Sequence, residues 1–234
     1  MQPQEVIIYD QLTPCPYLEG ETARLPLRQP LAHLTQRQVD RRLDVGDRRS
    51  GYMLYRPHCP NCQACEPIRL NLESFRPNAT QRRVYRRGME MLETRVGEPI
   101  VDDERIKLFN LHRALRNLER DDGPIDQIGY EEFLTDSCCE TIELSYWYED
   151  RLAGVAITDV GKSSLSAVYC FFDPTIEGLS IGTFSVLRQV EFCRAQRRQF
   201  LYLGFFVAGS AHMQYKAKFH PHERRLNGVW TTVE

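Results

Sequence analysis

Four side chains suited to soft-metal chemistry stand out first. Cys59, Cys62 and Cys65 follow one another at spacings of three in Cys59-Pro60-Asn61-Cys62-Gln63-Ala64-Cys65, and Cys15 is an isolated fourth thiol upstream. Thiolates at such spacing can wrap one metal centre without straining the loop. A pair of Cys-x-x-Cys hooks is the commoner zinc pattern, whereas a triple run with a distant cysteine is closer to iron–sulfur ligation. His58 could replace one thiol in a zinc site, and unliganded thiols are the plain alternative. Cys138, Cys139, Cys170 and Cys193 read more simply as small packing residues.

A second constellation interleaves arginine with tyrosine: Arg48-Arg49-Ser50-Gly51-Tyr52, Tyr55-Arg56-Pro57 and Gln81-Arg82-Arg83-Val84-Tyr85-Arg86-Arg87. Guanidinium forks suit phosphate oxygens, and phenol rings offer platforms for unpaired bases. Solvated arginines on a small surface are the rival reading. Tyr215-Lys216-Ala217-Lys218 adds a third basic cluster. Gly178-Leu179-Ser180-Ile181-Gly182 matches a serine-hydrolase pattern, but the strand-to-helix elbow that this chemistry needs is not suggested by its surroundings.

The charge distribution sharpens the second reading. The chain of 234 residues has a net charge of only −2, yet residues 24–87 hold 14 Arg and no Lys against 5 acids, while residues 90–150 hold 17 acids against 6 bases. The Arg-rich stretch is therefore either a phosphate-binding surface or the partner of the acidic stretch across the fold. At 42% hydrophobic content the chain can bury a core. It shows neither a signal-peptide pattern nor an apolar run near ~20 residues, so a cytoplasmic protein without a membrane partner is expected.

The elements that must position these groups fall into two blocks. Residues 1–97 carry short alternating pieces, Tyr52–Tyr55 and Ile68–Leu72, in a Cys- and Arg-rich half that looks small and loop-rich. A boundary is expected near Gly97-Glu98-Pro99. Residues 98–234 begin with a helix capped at Asp102-Asp103, with Leu108, Leu111, Leu115 and Leu118 on one face and Gly123-Pro124 after it. Strands follow at 141–148, 152–160 and 165–172, joined by turns at Glu149-Asp150 and Gly161-Lys162, then a helix at 182–196 and a buried strand at 200–207. This order predicts an α+β fold with a GCN5-related acyltransferase-like, antiparallel-rich sheet. An acetyl-CoA user should place a Gly-rich turn before the second helix, and residues 176–182 are a poor version of it, so no CoA is expected.

Taken together the chain resembles the aminoacyl-tRNA–protein transferases of the N-degron pathway, specifically the short bacterial aspartate/glutamate leucyltransferases related to eukaryotic arginyltransferases. The matching residues are Pro14-Cys15-Pro16-Tyr17-Leu18, Arg48–Gly51, Tyr55–Cys59, Cys62–Cys65, Pro67–Arg69 and Gln81–Arg83 in the first half. In the second they are Phe171–Pro174, Gly182-Thr183, Tyr202–Gly204 and Met213–Phe219. Residues 88–130 match only loosely, and Asn78-Ala79-Thr80 stands where the family usually has Arg-Ser before its Gln-Arg-Arg, which leaves the donor open between leucine and arginine.

The resemblance implies an aminoacyl-tRNA donor and an acceptor protein beginning with Asp or Glu, marked in this way for degradation. Because an aminoacyl ester is already activated, a positioned amine suffices and no covalent nucleophile is needed. Asp173 and Tyr202 are the expected relay or positioning residues, although Asp173-Pro174 also reads as a turn. Arg48, Arg49, Arg56, Arg82, Arg83 and Lys218 are expected to contact tRNA, and Arg69 and Lys216 the acceptor's carboxylate. Cys15, Cys59, Cys62 and Cys65 are expected to share an iron–sulfur cluster or zinc. Two other classes stay open at this point: a CoA-dependent N-acetyltransferase, which alone predicts tight acetyl-CoA binding, and a non-catalytic metal-containing RNA-binding module.

Overall fold

The structure is a computed structural model that describes residues 4–119 and 123–233. In chain order its elements are β1 (Glu5–Tyr9), β2 (Leu12–Pro14), β3 (Thr22–Arg24), β4 (Leu27–Pro30), α1 (Gln36–Asp44), β5 (Arg48–Ser50), β6 (Met53–Tyr55), β7 (Cys65–Asn71), α2 (Ala79–Met91), β8 (Glu93–Gly97), α3 (Asp103–Leu115) and α4 (Gln127–Tyr130). Then come β9 (Thr141–Tyr148), β10 (Arg151–Val160), β11 (Ser164–Phe172), α5 (Ile181–Ala195), β12 (Phe200–Val207), α6 (Ala211–Gln214), β13 (His222–Leu226) and β14 (Val229–Val233). A π-helical turn, Glu131–Thr135, continues α4, and a 3-10 turn, Tyr215–Lys218, continues α6.

The expected meander is present. β9, β10 and β11 pair antiparallel, and Glu149 and Asp150 turn the first hairpin with φ of 48° and 60°, a backbone that matches the twist of the strands it joins. These strands belong to an eight-stranded sheet of order β14-β13-β7-β12-β11-β10-β9-β8. A four-stranded sheet, β1-β4-β6-β5, and the hairpin β2-β3 stand beside it. β7 and β8, both from the first 97 residues, lie in the large sheet, so the expected boundary at 97/98 runs through one continuous hydrogen-bonded layer. Local alternation marks a strand but does not tell which distant edge it joins.

Both faces of the large sheet are covered, and β10 is buried along almost its whole length. On one face α2 and α5 pack over Ile68, Leu70, Leu144, Ala156 and Leu201. α2 crosses α5 so closely at Gly88 that a Cβ there would lie 2.1 Å from the Phe184 ring. On the other face α3 covers Val155, Ile157 and Phe171 through Leu108 and Phe109. The buried stripe of α3 is Arg105, Leu108, Phe109 and His112, not the expected leucine stripe, and Leu111 and Leu115 are exposed. Arg105 belongs to that stripe because the buried Glu143 on β9 receives its guanidinium.

Candidate active site

Among the described strand pairs of the large sheet only β11 and β12 run parallel, and their pairing is short. It joins Ser164, Leu165 and Ser166 to Phe200, Leu201 and Tyr202, then stops. Each strand carries an irregularity where the pairing ends. β11 slips against β10 between Tyr169 and Ala167, and β12 slips against β7 between Tyr202 and Gly204. Bulges bend and twist a strand, so two at one level turn the neighbours apart and open a cleft in the sheet.

Two buried cations sit at the apex of that cleft. Arg48, at the start of β5, donates to the Ala167 carbonyl on β11 over 3.0 Å. Lys216, in the 3-10 turn after α6, donates from Nζ to the Phe205 carbonyl on β12 over 2.8 Å and lies 3.5 Å from the Met213 sulfur. These are carbonyls that a continued β11–β12 ladder would have used. Gly204 has φ of +93°, and a Cβ on it would lie 3.2 Å from Lys216 Nζ and 3.6 Å from Arg48 Nη2, so glycine leaves room for both heads. Burial, reinforced by the Arg48 charge, pushes the Lys216 ammonium down to about 7. Neither cation forms an ion pair with a carboxylate among the described residues.

The four thiols border the same cleft. Cys65 opposes Val207 in the β7–β12 pairing. Burial first, then the charges of Cys15, Cys59 and Cys62, push its thiol up to about 12, while Lys216 opposes that rise. Cys15, Cys59 and Cys62 are thus each within Coulombic reach of Cys65, and all four are half-buried. Their donor chemistry fits a thiolate-bound centre. In this conformation, among the described residues, no three His, Cys, Asp or Glu side chains converge closely enough to hold a metal ion.

Two stretches of the chain answer to two halves of one family description. Residues 13–83 match "Arginine-tRNA-protein transferase, N terminus", and residues 104–226 match "Arginine-tRNA-protein transferase, C terminus". The chain belongs to the arginine-tRNA-protein transferase family. It is an aminoacyltransferase, with aminoacyl-tRNA and a protein as its two substrates. Curated relatives named aspartate/glutamate leucyltransferase include one from Aeromonas hydrophila, 35% identical over 99% of this chain and 98% of the relative. Another, from Halorhodospira halophila, is 36% identical over 94% of each. Among solved structures, the C-terminal domain of a putative lysylphosphatidylglycerol synthetase from Agrobacterium fabrum gives a TM-score of 0.54 at 17% identity, covering 73% of this chain and 59% of that one. FemX gives 0.51 at 7% identity, covering 90% and 84%. These two likenesses bear on the fold, which is the expected acyltransferase-like α+β sheet.

Within this transferase the expected site residues divide by environment. Arg82, Arg83 and Lys218 are exposed, and the Gln81 amide ties α2 to the Lys218 carbonyl over 2.9 Å, so the three share one surface. Arg49 does not reach a surface: Asp159 takes its Nε at 2.9 Å, and the carbonyls of Gly51 and Asp136 take Nη1. Arg48 is likewise buried, and Arg56 bonds the Val45 carbonyl and lies 3.6 Å from Asp47. Among the described ion pairs none joins an arginine of residues 24–87 to an acid of residues 90–150: Arg49 meets Asp159 and Arg56 meets Asp47, so the expected neutralisation of the basic stretch by the acidic one is not what the fold forms. Arg69 is held by Glu223 at 2.6 Å and Asp44 at 3.2 Å, between the rings of Phe200 and Trp230. Tyr202 accepts from Arg69 over 2.9 Å; burial, countered by that arginine, pushes its phenol up to about 12. Asp173 accepts the Thr175 amide and hydroxyl through one oxygen, the turn geometry that the Asp-Pro reading anticipated. Sequence reasoning missed the pairing of Arg48 with Lys216, for which only the small, positive-φ Gly204 between them was a visible sign.

Among the described residues no helix is long and apolar enough to cross a membrane. A cavity of about 280 Å³ opens away from the cleft, between α2 and α5, lined by Phe75, Pro77, Tyr85 and Leu187 with Arg82 and Arg86 among its walls.

Proposed function

We propose that the chain transfers leucine from leucyl-tRNA to the α-amine of proteins that begin with Asp or Glu, a cytoplasmic reaction that marks them for degradation. The near full-length likeness to relatives named for leucine and for acidic acceptors supports the donor and the acceptor. The observation in the molecule that carries the reading is the cleft between β11 and β12 with two buried, carboxylate-free cations at its apex.

In the reaction the acceptor's neutral α-amine attacks the aminoacyl carbonyl. A C–N bond forms, the C–O bond to the terminal ribose breaks, and the proton lost by the amine ends on the departing ribose oxygen. The amine's ordinary pKa of about 7.7–8.0 leaves a substantial neutral fraction near neutrality, so holding amine and ester together supplies most of the acceleration, up to ~7–11 kcal/mol in the best case. Asp173 closes the turn after β11, six residues and roughly 20 Å of extended strand beyond Ala167, too far from the apex to take the proton of an amine held there, and we assign it a structural role. Tyr202 is assigned the positioning role through Arg69. Phosphates of the tRNA fall to Arg82, Arg83 and Lys218, with the neighbouring Arg86 and Arg87 on α2.

Acetyl-CoA is not proposed as donor. The loop at 176–182 is a poor version of the Gly-rich turn that would cradle its pyrophosphate. Cys15, Cys59, Cys62 and Cys65 are proposed to hold one shared iron–sulfur cluster or zinc. Incubation with a mixture of charged tRNAs and peptides differing in their first residue tests the reaction. Peptides beginning with Asp or Glu should gain the mass of one leucine residue. Gain of arginine, or equal gain on Asn- and Ala-initiated peptides, would overturn the reading.

A further inference from the structure

Arg48 and Lys216 belong to opposite ends of the sequence and are brought to one point by the splay of β11 from β12. Each keeps only 7% of its surface exposed. Burying a cation without an anionic partner is costly, and folded proteins nearly always pair such groups. Here the partners are single backbone carbonyls, Ala167 for one and Phe205 for the other, which satisfy one N–H each and neutralise nothing. Other buried arginines of the chain, Arg49 with Asp159 and Arg105 with Glu143, are paired in the ordinary way. The apex is therefore a preformed, desolvated place for an anion within the cleft; the carboxylate whose charge reaches Arg48, Asp159, is itself bound to Arg49.

We propose that Arg48 and Lys216 together bind the side-chain carboxylate of the acceptor's first residue and so determine selection for Asp and Glu. The assignment rests on the acceptor reading above and replaces Arg69, whose charge is already met by Glu223 and Asp44. One carboxylate meets both heads: the Arg48 fork supplies planar donors and the Lys216 ammonium a point charge. A neutral amide would leave two buried cations unmatched, which is the origin of discrimination. A tRNA phosphate is the rival anion. The exposed arginines on α2 are open to a polyanion, whereas Arg48 and Lys216 are each only 7% exposed, which favours a single side chain reaching in.

Steady-state transfer with paired Asp- and Asn-initiated peptides, in wild type, Lys216→Met and Lys216→Arg, decides the matter. Lys216→Met should lower the Asp-to-Asn ratio of kcat/KM at least tenfold, with KM for leucyl-tRNA within about twofold of wild type; Lys216→Arg, which keeps the charge, should restore most of the ratio. An unchanged ratio in Lys216→Met would overturn the proposal. So would equal losses for both peptides with a raised KM for leucyl-tRNA, which would give the pair to phosphate. A binding measurement separates this from the transfer reaction: an Asp-Ala dipeptide should raise the wild-type Tm more than Asn-Ala does, and Lys216→Met should erase the difference. If wild type transfers nothing to Asp or Glu peptides, the acceptor reading fails. The dipeptide comparison then still judges the pair, and equal shifts would overturn it.

Discussion

Two buried cationic places lie on either side of β12, and they are built in opposite ways. Arg69 has two carboxylates, a phenol and two aromatic faces, and Glu223 and Asn71 are tied into the same set. Arg48 and Lys216 have two carbonyls between them and no carboxylate among the described residues. The first arrangement is complete in itself: it fastens β7 to β13 and to the end of α1. The second is incomplete as a structure and complete only with an anion. A buried charge is thus a sign of function when its neutralising partner is missing, not merely when it is buried.

The largest effect expected from this contrast is on stability at the complete place. Arg69→Met would leave Glu223 half-buried without its cation and free the Tyr202 hydroxyl. It should lower the unfolding free energy by ~2–3 kcal/mol, below the usual loss for a fully buried pair because Asp44 is exposed. Denaturant melts measure this, and selection between Asp and Asn peptides should stay as in wild type.

The incomplete place should behave in the reverse sense. Lys216 titrates at its ordinary 10.5 in the unfolded chain and at about 7 in the fold. Between these values the unfolded state holds more proton, so stability rises as pH climbs from 7 to 10.5 and is lowest below 7. Lys216→Met should therefore raise the Tm at pH 7 and below, by the equivalent of ~1–3 kcal/mol, with the gap closing as pH approaches 10.5. A variant less stable than wild type at pH 6 would break the comparison. Selection for acidic acceptors should also weaken in wild type above about pH 7 and hold in Lys216→Arg. Arg48 from β5 and Cys65 from β7 are the charged or titratable neighbours that bear on Lys216, and Tyr55 from β6, Asp159 from β10, Tyr202 from β12 and Tyr17 bear on Arg48.

Gly204→Ala offers a smaller test. Its positive φ costs an alanine ~1–2 kcal/mol, and the new methyl would press on both cationic heads. Transfer to Asp peptides should fall severalfold while the salt dependence of tRNA binding is unchanged. Smallest of all, Arg82→Ala or Arg83→Ala should flatten the slope of log affinity against log salt by about one unit each, with no effect on acceptor choice.

How much of this was legible in the chain depends on the range of the interaction. The strands at 141–148, 152–160, 165–172 and 200–207 agree with β9, β10, β11 and β12 to within a residue, because alternation, β-branched residues and turn pairs are local signals. The insertion of β7 between β12 and β13 was not legible, since edge choice is made by contacts more than a hundred residues apart. The leucine stripe misled on α3 because Arg105 and His112, polar by type, are buried by partners on other elements. Basic clusters likewise do not declare which members are exposed: Arg82 and Arg83 are, while Arg48 and Arg49 are inside. Lys216 was legible as a cation, but its lack of a carboxylate appears only once the strands have parted.

The central claim, that this lysine is held unpaired for an acidic ligand, is most directly tested by following its ammonium by NMR in protein labelled with 15N-lysine, with Lys216→Arg to assign the signal. Free protein should show Lys216 titrating near 7, and addition of Asp-Ala should move that midpoint upward by at least one unit while Asn-Ala leaves it in place. A Lys216 that titrates above pH 10 in the free protein, or that responds equally to the two dipeptides, would contradict it.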